Sequence, residues 1–212
     1  MTESEYNRLL DALPVRHTLI GQENSAAVMA TFVNLDDKMH LLLEKRAKGI
    51  PQGGEICFPG GRPDEGDKDL QATAVRETGE ELGIPEERIH PEGLLGTLFA
   101  GPGMVDVYVG RIEARDRNDF SINPDEVEKL LFIPFVWFLE HEPEVYKIET
   151  EYKAVEGENG NIFAARELGL PQRYWGSWKG RPHSIYLYKF DDEIIWGMTA
   201  RMIQELVRLC LK

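Results

Sequence analysis

The sequence predicts an α+β fold, an α/β/α sandwich in which a mixed central sheet is flanked by helices. Short segments rich in β-branched and aromatic residues fill the middle of the chain, and stretches with helical periodicity lie on either side. The 212 residues contain no internal repeat and no low-complexity linker. We therefore expect residues 1–212 to form a single domain, with an insertion or irregular segment at about 143–182.

Helices are predicted from apolar spacing and from residues that start or end them. The stretch 68–82, KDLQATAVRETGEEL, is rich in helix formers, with Asp67 as a candidate N-cap and Gly83 as its end. Three further segments have helical spacing: ESEYNRLLDAL at 3–13, FVWFLEH at 135–141 and the strongly amphipathic IIWGMTARMIQELVRLCL at 194–211.

Strands are predicted where apolar runs are bounded by turn residues. Six segments fit this pattern: 26–33, 39–47, 93–100, 104–113, 127–135 and 183–190. The first two are joined by the turn NLDDK, which favours a hairpin. Between the second strand and the helix at 68–82, residues 53–67 are rich in glycine, proline and acids, so we expect a loop there.

Composition excludes several classes of partner. The formal charge of −13 opposes attraction to nucleic acids and to anionic membranes. No apolar run approaches the length of about 18 residues that a membrane span needs, and the first residues do not resemble a secretion signal. We therefore expect a cytoplasmic protein.

Cys57 and Cys210 have no CxxC spacing, which favours reduced thiols.

The helix at 68–82 carries an unusual concentration of acids. Glu77, Glu80 and Glu81 fall within one sector at 100° per residue, where neighbouring carboxylates lie about 5–6 Å apart. Each close pair would repel by roughly 3 kcal/mol at an effective dielectric of 20, and Arg76 relieves only part of this. Oxygen ligands in this arrangement suit a hard divalent cation. The alternative is a merely acidic, solvated helix face.

Residues 60–84 resemble the Nudix box, the signature loop and helix of hydrolases that cleave a nucleoside diphosphate linked to another group. Its general form is G-x5-E-x7-R-E-U-x-E-E-x-G-U, with U an aliphatic residue. Here Gly61 begins the box and Asp67 stands at its first Glu. Eight residues, instead of seven, then precede Arg76, and Thr78 replaces an aliphatic residue. With these variations the box resembles that of the coenzyme A pyrophosphatase branch.

The resemblance extends beyond the box. LLLEKRA, NPDEVEKLLFIPFVWFL and IIWGMTARM resemble further segments of that branch, so the likeness covers about Ala26 to Met202. It implies a Nudix-type fold and hydrolysis of a pyrophosphate bond. One departure is upstream of FPGG, where RAKGIPQGGEIC is one residue shorter than the pattern of the branch and lacks its second Arg.

The resemblance also implies roles for the residues of the box. Glu77 and Glu81 are expected to bind Mg²⁺ or Mn²⁺, and Glu80 to act as a ligand or as the base. The carbonyl of Gly60 is a further candidate ligand, because glycine allows close approach of the backbone. Arg76 is expected to orient these acids through Asp67.

Residues outside the box give less specific predictions. Glu126 is a candidate base or extra ligand, and the alternative is a solvated acid before a strand. Candidate phosphate-binding cations are Arg46, Lys48, Arg173, Lys179 and Arg181. The last three lie in RYWGSWKGRPH with three aromatic rings, a composition that suits a stacked base and a phosphate but also a surface or homodimer contact.

Three functions follow from these observations. The first is metal-dependent hydrolysis of coenzyme A or acyl-CoA to 3',5'-ADP and 4'-phosphopantetheine. The second is Nudix pyrophosphatase activity on another small nucleoside diphosphate derivative, such as ADP-ribose. The third is a non-catalytic nucleotide-binding module. The complete R-E-x-x-E-E set counts against the third, because a pure binder has no need of every metal carboxylate.

Overall fold

A computed structural model describes residues 25–100, 103–157 and 159–211. Its main sheet has seven strands: β1 (Ser25–Leu35), β2 (Lys38–Arg46), β3 (Ile56–Cys57), β4 (Gly60–Gly61), β5 (Ile89–Ala100), β6 (Gly103–Ile112) and β7 (Val127–Pro134). β1 and β6 are parallel, and the other pairs are antiparallel. The predicted mixed sheet is confirmed. The helix predicted at 3–13 lies outside the described residues.

In the part of the chain that the structure describes, three α-helices and two small sheets complete the fold. The helices are α1 (Leu70–Leu82), α2 (Phe135–Glu140) and α3 (Gly197–Cys210). A three-stranded sheet contains β8 (Glu144–Ile148), β11 (His183–Phe190) and β12 (Glu193–Trp196), and β9 (Glu151–Tyr152) pairs with β10 (Trp178–Lys179). Short 3-10 helices occupy Glu86–Arg88, Arg117–Asp119 and Gln172–Tyr174. Among the described residues, none of the helices has the length and hydropathy of a transmembrane span.

Both faces of the main sheet are covered. Leu41, Leu42 and Leu43 are consecutive in β2 and all completely buried, although side chains alternate between the two faces of a strand. Leu42 belongs to a core cluster that includes Ala74 and Leu82 of α1. Leu41 and Leu43 belong to a second cluster on the opposite face, with α2, β11, β12 and α3. The α+β sandwich predicted from the sequence is therefore what the chain forms.

β1 and β2 pair near their hairpin and then diverge. Segment 56–61 fills the gap, because β3 pairs with β2 at Glu44↔Cys57 and β4 pairs with β1 at Val28↔Gly60. The Met29 amide also donates to the Pro59 carbonyl at 2.9 Å. Gly60 has φ 147°, and a Cβ atom there would lie 2.2 Å from the Ala27 carbonyl oxygen. Only glycine fits at this position, where the loop passes against β1.

The start of α1 differs from the prediction. The N-cap is Asp69, whose Oδ1 accepts from the Ala72 amide at 2.9 Å. Asp67, the expected cap, lies before the helix and binds Arg76 instead. The predicted end at Gly83 is observed, with the left-handed φ of 62° that favours glycine after a helix.

The prediction of one helix over 194–211 was wrong in its first part. Glu193–Trp196 is strand β12, which pairs with β11 from Phe190 to Leu187, and α3 begins only at Gly197. Gly197 has φ 64°, which separates the extended backbone of Trp196 from the helix. The amphipathic pattern continues through both elements, so apolar spacing alone could not locate the boundary.

Candidate active site

The acidic residues of α1 point in two directions because of where the helix packs. Thr73, Ala74, Thr78 and Leu82 are buried against the sheet. Glu81 lies beside this packed face and is 5% exposed. The Glu80 side chain, one residue earlier, is 59% exposed. Helical geometry therefore separates two neighbouring glutamates into an inner and an outer carboxylate.

Arg76 is the centre of an ion-pair network on the outer side. Its guanidinium binds both carboxylate oxygens of Asp67 at 3.0 Å and the Arg62 carbonyl at 3.1 Å. It also lies 3.0 Å from a carboxylate oxygen of Glu77 and 3.0 Å from one of Glu80. These hydrogen bonds hold the pKa of Asp67 well below its usual range. Arg76 thus binds three carboxylates and fixes the loop before α1 to the helix.

Glu81 and Glu77 each lie against one glycine of β4, Glu81 against Gly60 and Glu77 against Gly61. The Gly60 amide donates to Glu81 Oε2 at 2.8 Å. A Cβ atom on Gly61 would lie 2.4 Å from the carboxyl carbon of Glu77, so a side chain at this position would displace the Glu77 carboxylate. Burial raises the pKa of both glutamates, and for Glu81 the negative charge of Glu44 is the next cause. The backbone of β4 therefore lies against both carboxylates.

Glu44 is a member of this site that the sequence reasoning missed. It is completely buried, and its Oε1 accepts a weak hydrogen bond from Cys57 Sγ at 3.4 Å. Its Oε2 has no hydrogen-bond partner. Burial raises the pKa of Glu44, and Cys57 and Arg46 oppose that rise. The signal in the sequence was a single acid at the end of the run LLLE, on the face of β2 that Leu42 shares.

Two further predicted residues lie at the same end of β2. The positive charge of Arg46 favours the ionised forms of the buried Glu44 and Glu81, and its Nε donates to the Pro51 carbonyl at 3.2 Å. Glu126 acts electrostatically on Glu44 and Glu77, and its carbonyl accepts from the Ala47 amide at 2.8 Å. The charges of both residues therefore act on the carboxylates of the site.

Among the described residues, the other predicted cations form no hydrogen bond or ion pair with the carboxylates of α1. Lys48 is exposed in the turn after β2. Lys179 Nζ lies 2.6 Å from Glu149 Oε2, and Arg173 lies over the ring of Tyr174 at 4.5 Å. Arg181 is exposed. The aromatic side chains of this loop contact other residues of the segment 143–182. The rings of Trp178 and Tyr152 stack with their centroids 5.6 Å apart, and Trp175 Nε1 donates to the Leu170 carbonyl.

The site offers carboxylate oxygens, the ligand type that a hard cation prefers, but these oxygens are not gathered around one point. Within residues 25–100, 103–157 and 159–211, no three acidic, histidine or cysteine side chains converge as closely as a metal cage requires. The carboxylates of Glu77 and Glu80 form ion pairs with Arg76, and the carboxylate of Glu81 accepts a hydrogen bond from the Gly60 amide. The unpaired oxygen of Glu44 is the observation that fits a cation, because a buried carboxylate oxygen without a partner is costly.

A cavity of about 810 Å³ lies elsewhere, between β5, β11 and α3. It is lined mainly by apolar side chains, and Arg201 and Arg208 also contribute to it. None of the predicted site residues lines this cavity. The carboxylates of α1 and this cavity are separate features of the molecule.

Comparison with known proteins identifies relatives of this chain. The sequence model described as the NUDIX domain matches residues 24–154. A protein of Pectobacterium atrosepticum, "Uncharacterized Nudix hydrolase NudL", is 29% identical over 195 residues, which cover 92% of this chain and 86% of that protein. The protein of the same name from Yersinia enterocolitica is 31% identical over 172 residues, covering 79% and 72%. A crystal structure of a C. elegans Ap4A hydrolase has 24% identity and a TM-score of 0.45, covering 52% of this chain and 80% of that one.

Proposed function

Because this chain belongs to the Nudix family, whose hydrolases act on pyrophosphate bonds and generally use divalent cations, we propose that it hydrolyses coenzyme A or acyl-CoA. The products would be 3',5'-ADP and 4'-phosphopantetheine or its acyl derivative. The observation that carries the proposal is the position of Glu77 and Glu81 against the glycines of β4, beside Arg46. An anionic diphosphate can approach this acidic site only when a cation offsets the carboxylates.

Each residue of the site has a role in the proposed reaction. Glu77, Glu81 and the carbonyl of Gly60 would hold Mg²⁺ or Mn²⁺. When bound, such a cation neutralises phosphate oxygens and lowers the pKa of water. Arg76 keeps Glu77 and Glu80 in place through its ion pairs. Glu80, exposed at the outer side, would hold the cation or accept the proton of the attacking water.

Glu126 is the alternative proton acceptor. Its Oε2 accepts a hydrogen bond from Asn123 Nδ2 at 3.2 Å, so its carboxylate has a defined orientation beside the site. The negative charge of Glu126 also acts on Glu77, which supports a position near the carboxylates of α1. We assign it as a base or as an extra ligand, alongside Glu80.

The choice of coenzyme A depends on the resemblance of the box and on the cations that would bind the 3'-phosphate. Arg46 is the candidate best supported by the structure, since its charge acts on Glu44 and Glu81. Lys48 follows two residues later, and Arg173, Lys179 and Arg181 would reach the ligand only if their loop bends toward it. The alternatives are a Nudix pyrophosphatase for ADP-ribose or a dinucleotide, and a non-catalytic nucleotide-binding module.

We also propose that the protein binds a small molecule and neither nucleic acid nor a membrane. We propose a cytoplasmic location and a single domain over residues 1–212. The charge of −13 supports the first of these proposals. A homodimer through the region 143–182 is compatible with the exposed apolar side chains there, which include Val155, Ile162 and Leu168.

The proposal is tested by incubating the protein with Mg²⁺ or Mn²⁺ and a panel of substrates. The panel contains coenzyme A, acetyl-CoA, ADP-ribose, NADH and diadenosine polyphosphates, and products are identified by mass. Metal-dependent release of 3',5'-ADP, fastest from a coenzyme A substrate, supports it. Faster hydrolysis of ADP-ribose would assign the second function, and binding without any hydrolysis the third.

A further inference from the structure

A completely buried carboxylate with one free oxygen needs a physical explanation. Glu44 has no exposed surface, and its Oε2 has no hydrogen-bond partner. Leaving a buried polar group unpaired costs about 1–3 kcal/mol, and more when the group is charged. A leucine at this position would extend the run Leu41–Leu43 without that cost. Something in the functional protein must therefore compensate for Glu44.

The neighbours of Glu44 do not provide this compensation. Cys57 reaches only Oε1, at 3.4 Å, and a thiol is a weak donor. Lys45, the next residue, is on the opposite face of β2 and binds Glu193 at 3.0 Å. Arg46 uses its Nε on the Pro51 carbonyl. No cationic side chain of the described residues forms an ion pair with Glu44.

Strand geometry directs Glu44 toward α1. Residues two apart in a strand share a face, and Leu42 packs with Ala74 and Leu82 of α1. Glu44 is therefore on the face of β2 that α1 covers. The inner carboxylate of that helix is Glu81, which is 5% exposed.

Segment 56–61 connects the two carboxylates. Glu44 accepts from Cys57 in β3, and Glu81 accepts from the amide of Gly60 in β4, three residues later. The charge of Glu44 is the largest electrostatic influence on Glu81 after burial, which supports their proximity. Two buried carboxylates that face one another repel, unless a cation or a proton lies between them.

We propose that Glu44 is a ligand of the divalent cation that binds at Glu81. The inference depends on the proposed function in one respect, that a cation binds at α1, and is independent of the substrate. Glu44 adds a ligand from the sheet to the ligands from the helix, and binding of the cation uses the oxygen that is otherwise unpaired.

The test measures cation binding without substrate. Mn²⁺ affinity is determined by calorimetry for the unmodified protein, for Glu44→Gln, which keeps the shape, and for Glu44→Leu, which suits the apolar surroundings. Loss of a direct ligand should weaken Mn²⁺ binding at Glu81 by about a hundredfold or more, because changing even a hydrogen-bond partner of a metal ligand costs about ten- to a hundredfold. Thermal unfolding provides a second readout. Without metal both variants should melt higher than the unmodified protein, and added Mn²⁺ should raise their Tm less.

Glu193→Gln is the matched control, since Glu193 is another mostly buried strand carboxylate, but one that binds Lys45 and Lys129. It should melt lower without metal and keep its Mn²⁺ affinity. The proposal is overturned if Glu44→Gln or Glu44→Leu binds Mn²⁺ as tightly as the unmodified protein, or if the unmodified protein binds none. A protein that binds Mn²⁺ through Glu44 but does not cleave coenzyme A would contradict the proposed substrate alone.

Discussion

At the scale of single residues, the environment of each carboxylate sets what it can do. Glu80 is exposed and paired with Arg76, whereas Glu81, its neighbour, is buried and bound to the Gly60 amide. The same side chain therefore has different solvation and different partners in adjacent positions. The spacing in the sequence predicted that the acids share one side of a helix. It could not predict which of them is inward, because that depends on the elements that cover α1.

Glu81→Gln should lower kcat about a hundredfold or more, because an uncharged amide is a poor ligand for Mg²⁺. The fold should be retained, since the amide oxygen can still accept from Gly60. Steady-state kinetics on the best substrate and a thermal melt measure both effects. Glu87→Gln, at an exposed position after α1, is the control that should leave both unchanged. Undiminished turnover of Glu81→Gln would remove Glu81 from the site.

Asp67→Asn should destabilise the protein in a way that depends on pH. The pKa of Asp67 is lowered in the folded state, chiefly by Arg76, so its ion pair contributes stability above the unfolded pKa of about 3.9. That contribution is lost as pH falls through the folded value. Urea unfolding should show a deficit for Asp67→Asn at pH 7 that shrinks as the pH is lowered below about 4. A deficit of equal size at all pH values would contradict the ionic role of Asp67.

At the scale of elements, sequence patterns predicted most of the main sheet and missed what tertiary pairing decides. The long strands β1, β2, β5, β6 and β7 coincide with the apolar runs, and α1 ends at the predicted glycine. Strands β8, β9 and β10 fall within 143–182, where only an insertion or irregular segment was expected. β8 is exposed along its whole length, so it has no apolar alternation to recognise. It is a strand because β11 pairs with it.

Gly60→Ala should disrupt the junction of β1 and β4. The backbone there has a positive φ, and the new methyl would meet the Ala27 carbonyl, so we expect a loss of about 2–4 kcal/mol. Chemical denaturation measures the change. Gly49→Ala is the control, because no atom lies within 4 Å of a Cβ placed at Gly49. If the two variants were equally stable, the close approach at Gly60 would be refuted.

At the scale of the whole molecule, the predicted substrate-binding cations differ in whether they act on the acidic site. Arg46 is the predicted substrate residue whose charge acts on the buried carboxylates, whereas Lys179 is held by Glu149 in the region of β9 and β10. The sequence could propose all five cations but could not rank them. Their distances from α1 depend on how the segment 143–182 folds.

Arg46→Ala should weaken kcat/KM for coenzyme A by roughly ten- to a hundredfold, because one charge-assisted phosphate contact contributes about 1.5–3 kcal/mol. The same variant should hydrolyse 3'-dephospho-coenzyme A almost as fast as the unmodified protein, since that substrate lacks the phosphate. Arg115→Ala, at an exposed position to which no substrate role is assigned, should change neither rate appreciably. Equal losses on both substrates would mean that Arg46 does not recognise the 3'-phosphate.

The insertion of segment 56–61 between β1 and β2 links folding to ligand binding. Phe58 lies in the apolar core with Leu41 and Leu43, and two residues later Gly60 donates to Glu81. If segment 56–61 moved away from Glu81, the ring of Phe58 would also leave the core. The pairing of β3 with β2 and of β4 with β1 would be lost at the same time. Local unfolding confined to the candidate active site is therefore disfavoured, and a ligand that bound there would stabilise the central sheet as a whole.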